Sequence, residues 1–144
     1  MDKKTREDIQ RLLHSCSITG KIVAYEKDEI YQLKRVLRGI EEIKDISNKS
    51  ELFEKSTRLC NKRIKTIEKN IDELLEEKTK IEEIVEKLEF IKKYIIKERY
   101  FKNREWENIV VLYPIQMSLR HFYRLHTEAL EELYELFKKN GIMK

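Results

Sequence analysis

Three glycines and one proline in 144 residues leave few places for sharp turns. That scarcity speaks against a fold of many short strands joined by Gly/Pro-rich turns. Two cysteines, Cys16 and Cys60, form no Cys-x-x-Cys pair, and with only three histidines no metal site is expected. Ordinary reduced thiols of an intracellular protein are the expectation instead. No apolar run approaches the ~20 residues that span a bilayer. The opening MDKKTREDIQRLL is charged and amphipathic, without the apolar core of a signal peptide. These absences predict a cytoplasmic protein with no membrane partner. A surplus of one sign is lacking too: 31 basic residues against 27 acidic ones give a net charge of +4, which permits a nucleic-acid partner without requiring one. Finally, no nucleophile–base pair, phosphate loop or paired carboxylates in a plausible cleft can be found. The expectation is no enzyme, no catalytic residue and no cofactor.

What is present is charge, at 40% of residues against about 25% in an ordinary soluble domain. With Ile, Leu, Lys and Glu dominant, this is the composition of long helices, and an all-α fold is predicted. Asp2 to Leu13 reads as a short amphipathic helix, interrupted by HSCSITG and broken at Gly20. Val23, Ile30, Leu33, Leu37 and Ile40 then recur at helical spacing through residues 21–46. SNKS at 47–50 reads as a turn whose Ser50 caps the next helix.

A single long helix is expected from Glu51 to Phe101. Ile64, Ile67, Ile71, Leu74, Lys78, Ile81, Val85, Leu88, Lys92 and Ile95 lie along one heptad seam in it, and such a seam asks for a partner helix. Residues 21–46 folded back are the simplest partner. They are shorter than the seam, which predicts a homodimer through the coiled coil. Lys78 and Lys92 interrupt the seam, their stems lying along it or their charges fixing register.

Past Phe101 the pattern changes. KNRE is a polar turn, and WENIVVL sets Trp106, Ile109 and Val110 on one face of a short helix, with Trp106 expected in the core. Pro114 ends that helix, and Ser118 opens a last one as its N-cap. Three helices in about fifty residues, the last two joined by a tight break, describe a helix-turn-helix. The expected organisation is a helical hairpin or coiled coil over residues 1–90, followed by a three-helix helix-turn-helix unit over 91–144.

ERYFKNREWENIV followed by SLRHFYRLHTEALEEL resembles region 4 of the sigma-70 family. It is similar above all to the small phage-encoded transcriptional regulators of the ArpU type, which carry such a region at their C-terminus. The matching residues are Tyr100-Phe101, Trp106, Ile109, Ser118, Arg120, Phe122, Tyr123-Arg124-Leu125-His126, Ala129-Leu130 and Leu133. The resemblance covers about 45 residues and implies double-stranded DNA as partner and control of transcription, often of late phage genes, in a bacterial host. RNA polymerase is a further partner it allows. One departure is the Tyr113 to Met117 stretch, longer by about two residues than the usual helix-turn-helix turn, which bears on how the last helix sits in a groove.

The last helix changes sign midway. Phe122, Leu125, Ala129, Leu130 and Leu133 share its buried face, leaving Arg120, His121, Tyr123, Arg124 and Thr127 outside as candidate base readers. Glu128, Glu131, Glu132 and Glu135 follow where the helix would have left the groove. Lys97, Arg99, Lys102, Asn103, Arg104 and Ser118 flank the site as candidate phosphate contacts. His126 reads more readily as a packed histidine than as a reader. Two other functions fit the same composition: a helical adaptor contacting polymerase, and a small phage packaging subunit.

Overall fold

The computed structural model describes residues 1–44 and 50–144, Ser50 through its backbone alone. The turn and the capping role expected at 47–50 lie outside the described residues. Five α-helices and no strand make up those residues. They are α1 (Lys3–Lys44), α2 (Ser50–Val85), α3 (Phe90–Ile96), prolonged by a π-helical turn (Lys97–Phe101), α4 (Trp106–Leu112) and α5 (Leu119–Lys139). The fold is all-α, with a packed α1–α2 pair and a C-terminal three-helix unit, as the sequence predicts.

The chain forms two compact units, Gly20–Glu76 and the combination of Met1–Thr19 with Glu77–Lys144. The second thus joins parts of the expected 1–90 and 91–144 regions. In the first, Ile67 and Ile71 bury against Val23, flanked by Ile30, Leu33 and Leu74, while Arg63 forks onto the Glu29 carboxylate at 3.0 and 3.4 Å. In the second, Ile9, Leu13 and Cys16 pack with Ile81, Ile84, Val85 and Leu88, and with Ile96, Tyr100, Ala129, Leu130, Leu133 and Phe137. Burial pushes the Cys16 thiol up to about 11, and both cysteines are free thiols.

Three expectations need correction. First, α1 does not stop at Leu13 or Gly20. Its small polar residues bond back along the helix, Ser15 Oγ to Leu12 O at 2.5 Å, Ser17 Oγ to His14 O at 2.9 Å and Thr19 Oγ1 to Ser15 O at 2.7 Å. Their hydroxyls are satisfied inside the helix instead of breaking it.

Second, the long helix ends at Val85, not Phe101. Lys87 and Leu88 donate to Ile84 O and Val85 O in a tightened last turn, and Glu89 goes extended (φ −63°, ψ 158°). No Gly or Pro marks the place. Burial decides it: Leu88 and Ile96 enter the large cluster, while Ile95 serves a different one.

Third, the heptad seam is not left bare. Its buried residues are covered within the chain, beside Val23 in one unit and beside Ile9, Leu13 and Cys16 in the other. The uncovered-seam argument for a second copy therefore falls away.

Candidate nucleic-acid interface

The three C-terminal helices close on a small core of Ile95, Ile109, Phe122 and Leu125, with Tyr94, Trp106, Val110, Tyr113 and Met117 packed around it. Tyr113 meets Phe122 edge-on at 5.6 Å, and the Tyr94 hydroxyl donates to Ile109 O at 3.3 Å. Ile109 is wholly buried, which anchors α4 although the extended Glu105 before it supplies no side-chain cap. Helix α5 does have its cap: His121 N donates to Ser118 Oγ at 3.1 Å. The hydroxyl of Ser118, a candidate phosphate contact, is thus engaged in starting the helix. At the far end Gly141 takes a positive φ of 73° and Ile142 N returns to Phe137 O, a glycine-terminated helix end.

The buried face of α5 is the predicted one, Phe122, Leu125, Ala129, Leu130 and Leu133, extended by His126 and Phe137. Its change of sign has a partner. Lys92 of α3, its side chain only 11% exposed, pairs with Glu132 and stands 3.5 Å from Glu128 and 3.8 Å from Glu89. The bond to Glu132 holds the Lys92 ammonium above its ordinary pKa against the opposing effect of burial. Lys92 is therefore not a seam residue with its head in water. Its ammonium meets the acidic half of α5.

The candidate base readers differ in how they are held. Arg120 is exposed and meets no carboxylate among the described residues. Arg124 is 65% exposed in its side chain, 4.0 Å from Glu128, and bonds His121 Nδ1 at 2.8 Å. Tyr123 is partly exposed, its ring edge-on to Trp106 at 5.1 Å. Thr127 is half-buried and donates to Tyr123 O at 3.1 Å. Arg120 and Arg124 thus share one exposed side of the first two turns with the half-buried His121 beside them, whereas the exposed Tyr123 meets Trp106.

Most of the candidate phosphate contacts already have work. Glu98, nearly buried, accepts from Lys102 at 2.8 Å, and its other oxygen stands 2.8 Å from Arg104 Nε. That second contact is one of charge, off the line of a hydrogen bond. Lys97 pairs with Glu86, which Lys93 also reaches at 3.1 Å, and these bonds lower the Glu86 pKa. Asn103 acts through its backbone, at φ 54°, a left-handed position that Asn tolerates better than most residues. Arg99 donates to Arg104 O at 3.1 Å and lies over the Trp106 ring at 5.3 Å.

Trp106 itself is half-buried, its ring edge-on to Tyr123 and to His126 at 4.8 Å. It walls a cavity of about 460 Å³ and is not enclosed in the core as the sequence predicts. The cavity floor is a hydrogen-bonded chain. Gln10 Nε2 donates to the Tyr100 hydroxyl at 3.0 Å, and that hydroxyl meets His126 Nε2 at 2.6 Å. Burial first, then Arg6 and Arg99, lower the His126 pKa to about 4, so its imidazole is neutral. At this contact a neutral imidazole either accepts the Tyr100 proton at Nε2 or donates its own there, as its tautomer sets.

Arg6, Gln10, Arg11 and His14 also line this cavity and were not legible as site residues. Arg6, Gln10 and His14 recur every fourth residue, but nothing in the sequence says what that stripe faces. Glu98 was equally hidden, its only signal being Lys102 four residues on. Among the described residues no cluster of His, Cys, Asp or Glu suits a metal ion, and no helix is long and apolar enough to cross a membrane. No family model, no curated protein and no solved structure matches this chain.

Proposed function

We propose that this protein binds double-stranded DNA through the first two turns of α5 and regulates transcription, in the manner of the phage regulators whose sigma region 4-like unit its C-terminus resembles. The observation that carries the reading is the exposed cationic side of α5. Arg120 and Arg124 are four apart on a helix whose opposite face is fully occupied by the core. A guanidinium so presented can fork onto a guanine edge in the major groove. His121, bonded to Arg124, orients it. Lys102 and Arg104 stand in the turn before α4, where contact with the DNA backbone would exchange Glu98 for a phosphate. No part of this requires catalysis.

The test is titration of duplexes selected from the parent genome, and of scrambled ones, at several salt concentrations. Arg124→Ala should cost about 1–3 kcal/mol on selected sites and relax preference at one position. Lys102→Ala should weaken both duplex types alike and lower the salt slope by about one. Equal losses on both duplexes for Arg124→Ala would assign this helix to phosphate or protein contact.

A second reading, an adaptor that contacts polymerase, draws on a separate observation. Val111, Leu112 and Ile115, at the end of α4 and in the loop beyond, are exposed, Val111 at 80%, and DNA has no use for such a surface. Val111→Ser should leave DNA affinity unchanged on either reading. Only on the adaptor reading should it weaken binding to purified polymerase.

A further inference from the structure

We propose that the cavity between the start of α1 and the face formed by Arg99, Trp106 and Tyr123 is a binding site for a small planar aromatic anion, of which a nucleoside monophosphate is the representative chemistry. The inference stands apart from the DNA-binding reading, since its test uses no duplex to establish the site.

The cavity measures about 460 Å³, within the range of small-molecule pockets, about 300–1,000 Å³. Its lining combines three guanidiniums, Arg6, Arg11 and Arg99, with one carboxylate, Glu7. With His126 neutral, the balance is positive. The three arginines are not equally committed. Arg11 is turned to Asp8 at 3.3 Å, and Arg99 is held over Trp106 and bonded to a backbone carbonyl. Arg6 is half-buried and meets no carboxylate among the described residues, though its charge is felt by both His126 and Tyr100. A partly desolvated guanidinium with no counter-ion is a prepared anion contact, because a charge removed from water gains most from a charged hydrogen-bond partner.

The aromatic half of the recognition comes from Trp106 and Tyr123. They meet edge-to-face, so they offer differently oriented surfaces to a flat ring. Arg99 over Trp106 shows that the indole already accepts a planar cationic group. A phosphate at Arg6 with a base against these rings uses both halves of the lining.

Trp106 is the sole tryptophan, so its emission reports occupancy directly. Titration of the full chain with AMP, GMP, CMP and UMP should give saturable quenching by at least one of them. Inorganic phosphate and the matching nucleoside, each lacking half of the recognised chemistry, should bind at least about tenfold more weakly, tenfold being the worth of roughly one charge-assisted hydrogen bond. Arg6→Gln should weaken the nucleotide about tenfold while Arg6→Lys retains part of the affinity. Both should unfold at the wild-type urea midpoint, since Arg6 makes no ion pair to lose. Saturable binding with equal affinity in wild type and Arg6→Gln overturns the proposal, as does the absence of quenching by any nucleotide at millimolar concentration. Quenching by duplex DNA but by no mononucleotide also overturns it, and assigns these cations to the DNA backbone.

Discussion

Lowering the pH from 7.5 to 5 should destabilise the unit that contains α5 through a single residue, His126. The imidazole is 3% exposed and hydrogen-bonded at Nε2 to Tyr100, and burial with Arg6 and Arg99 lowers its pKa from 6.5 to about 4. The unfolded chain therefore takes up a proton over a range where the folded chain refuses it. Above about pH 6.5 neither state is protonated and nothing is lost. Below it stability falls, reaching a loss of about 2 kcal/mol at pH 5 and levelling near 3 kcal/mol once the folded state also titrates, below about pH 4. The assay is urea unfolding followed by Trp106 emission, whose ring lies 4.8 Å from the imidazole. His126→Gln keeps a hydrogen-bonding partner for the Tyr100 hydroxyl, as donor or acceptor, and cannot titrate. Carboxylates and the other two histidines contribute equally to both proteins, so the difference in pH dependence isolates His126. Parallel stability curves for wild type and His126→Gln between pH 7.5 and 5 would refute the reasoning, because the buried imidazole would then titrate alike folded and unfolded.

Ile109→Ala should cost about 2–5 kcal/mol in the same urea experiment, since a wholly buried side chain leaves a cavity where three helices meet; a loss under 1 kcal/mol would place the anchor of α4 elsewhere. Gly20→Ala should stabilise the chain by about 0.5–1 kcal/mol, because Gly20 lies inside continuous helix and an added Cβ meets nothing within 4 Å; thermal unfolding followed by circular dichroism measures it, and destabilisation would mean that the helix does break there. Lys92→Met should change stability by no more than about 1 kcal/mol, because its three glutamate partners all reach water and can rehydrate; a loss above about 3 kcal/mol in urea would show that the ion cluster holds α3 to α5.

The parts of this structure that were legible in the sequence are those written as periodicity. The spacing of Phe122, Leu125, Ala129, Leu130 and Leu133 marks the buried face of α5 because no other helical phase buries so many apolar residues. Ser118 was legible as a cap for the same local reason. The break at 86–89 was not, since it carries neither Gly nor Pro. It exists because Leu88, Ile95 and Ile96 are claimed by two clusters whose other members come from distant segments, and tertiary burial overrides a local helical preference. Gly20 fails in the opposite direction: a residue that usually marks a turn is carried through by the helix on either side of it. The cations before α4 looked alike in sequence. Their assignment, Lys97 to Glu86, Lys102 and Arg104 to Glu98, and Arg99 to the Trp106 ring, depends on which groups fold beside them.

The reversal of charge along α5 now has a physical account that does not begin with DNA. Glu128 and Glu132 are on the helix to meet Lys92 of α3, and replacing them with bases would set like charges around a nearly buried ammonium. These two acids of the second half are thus accounted for by packing. No such constraint reaches Arg120, and Arg124 touches the cluster only through Glu128, at 4.0 Å. Glu128 stands closer to Lys92, at 3.5 Å, and Lys92 is also bound by Glu132. If Arg124 turns to a base edge, the cluster therefore keeps its remaining contacts, and the exposed pair with Glu128 that is lost is of the kind worth at most about 1 kcal/mol. The helix can spend the outer side of its basic half on a ligand because Phe122 and Leu125, on its other face, hold that half in the small core with Ile95 and Ile109.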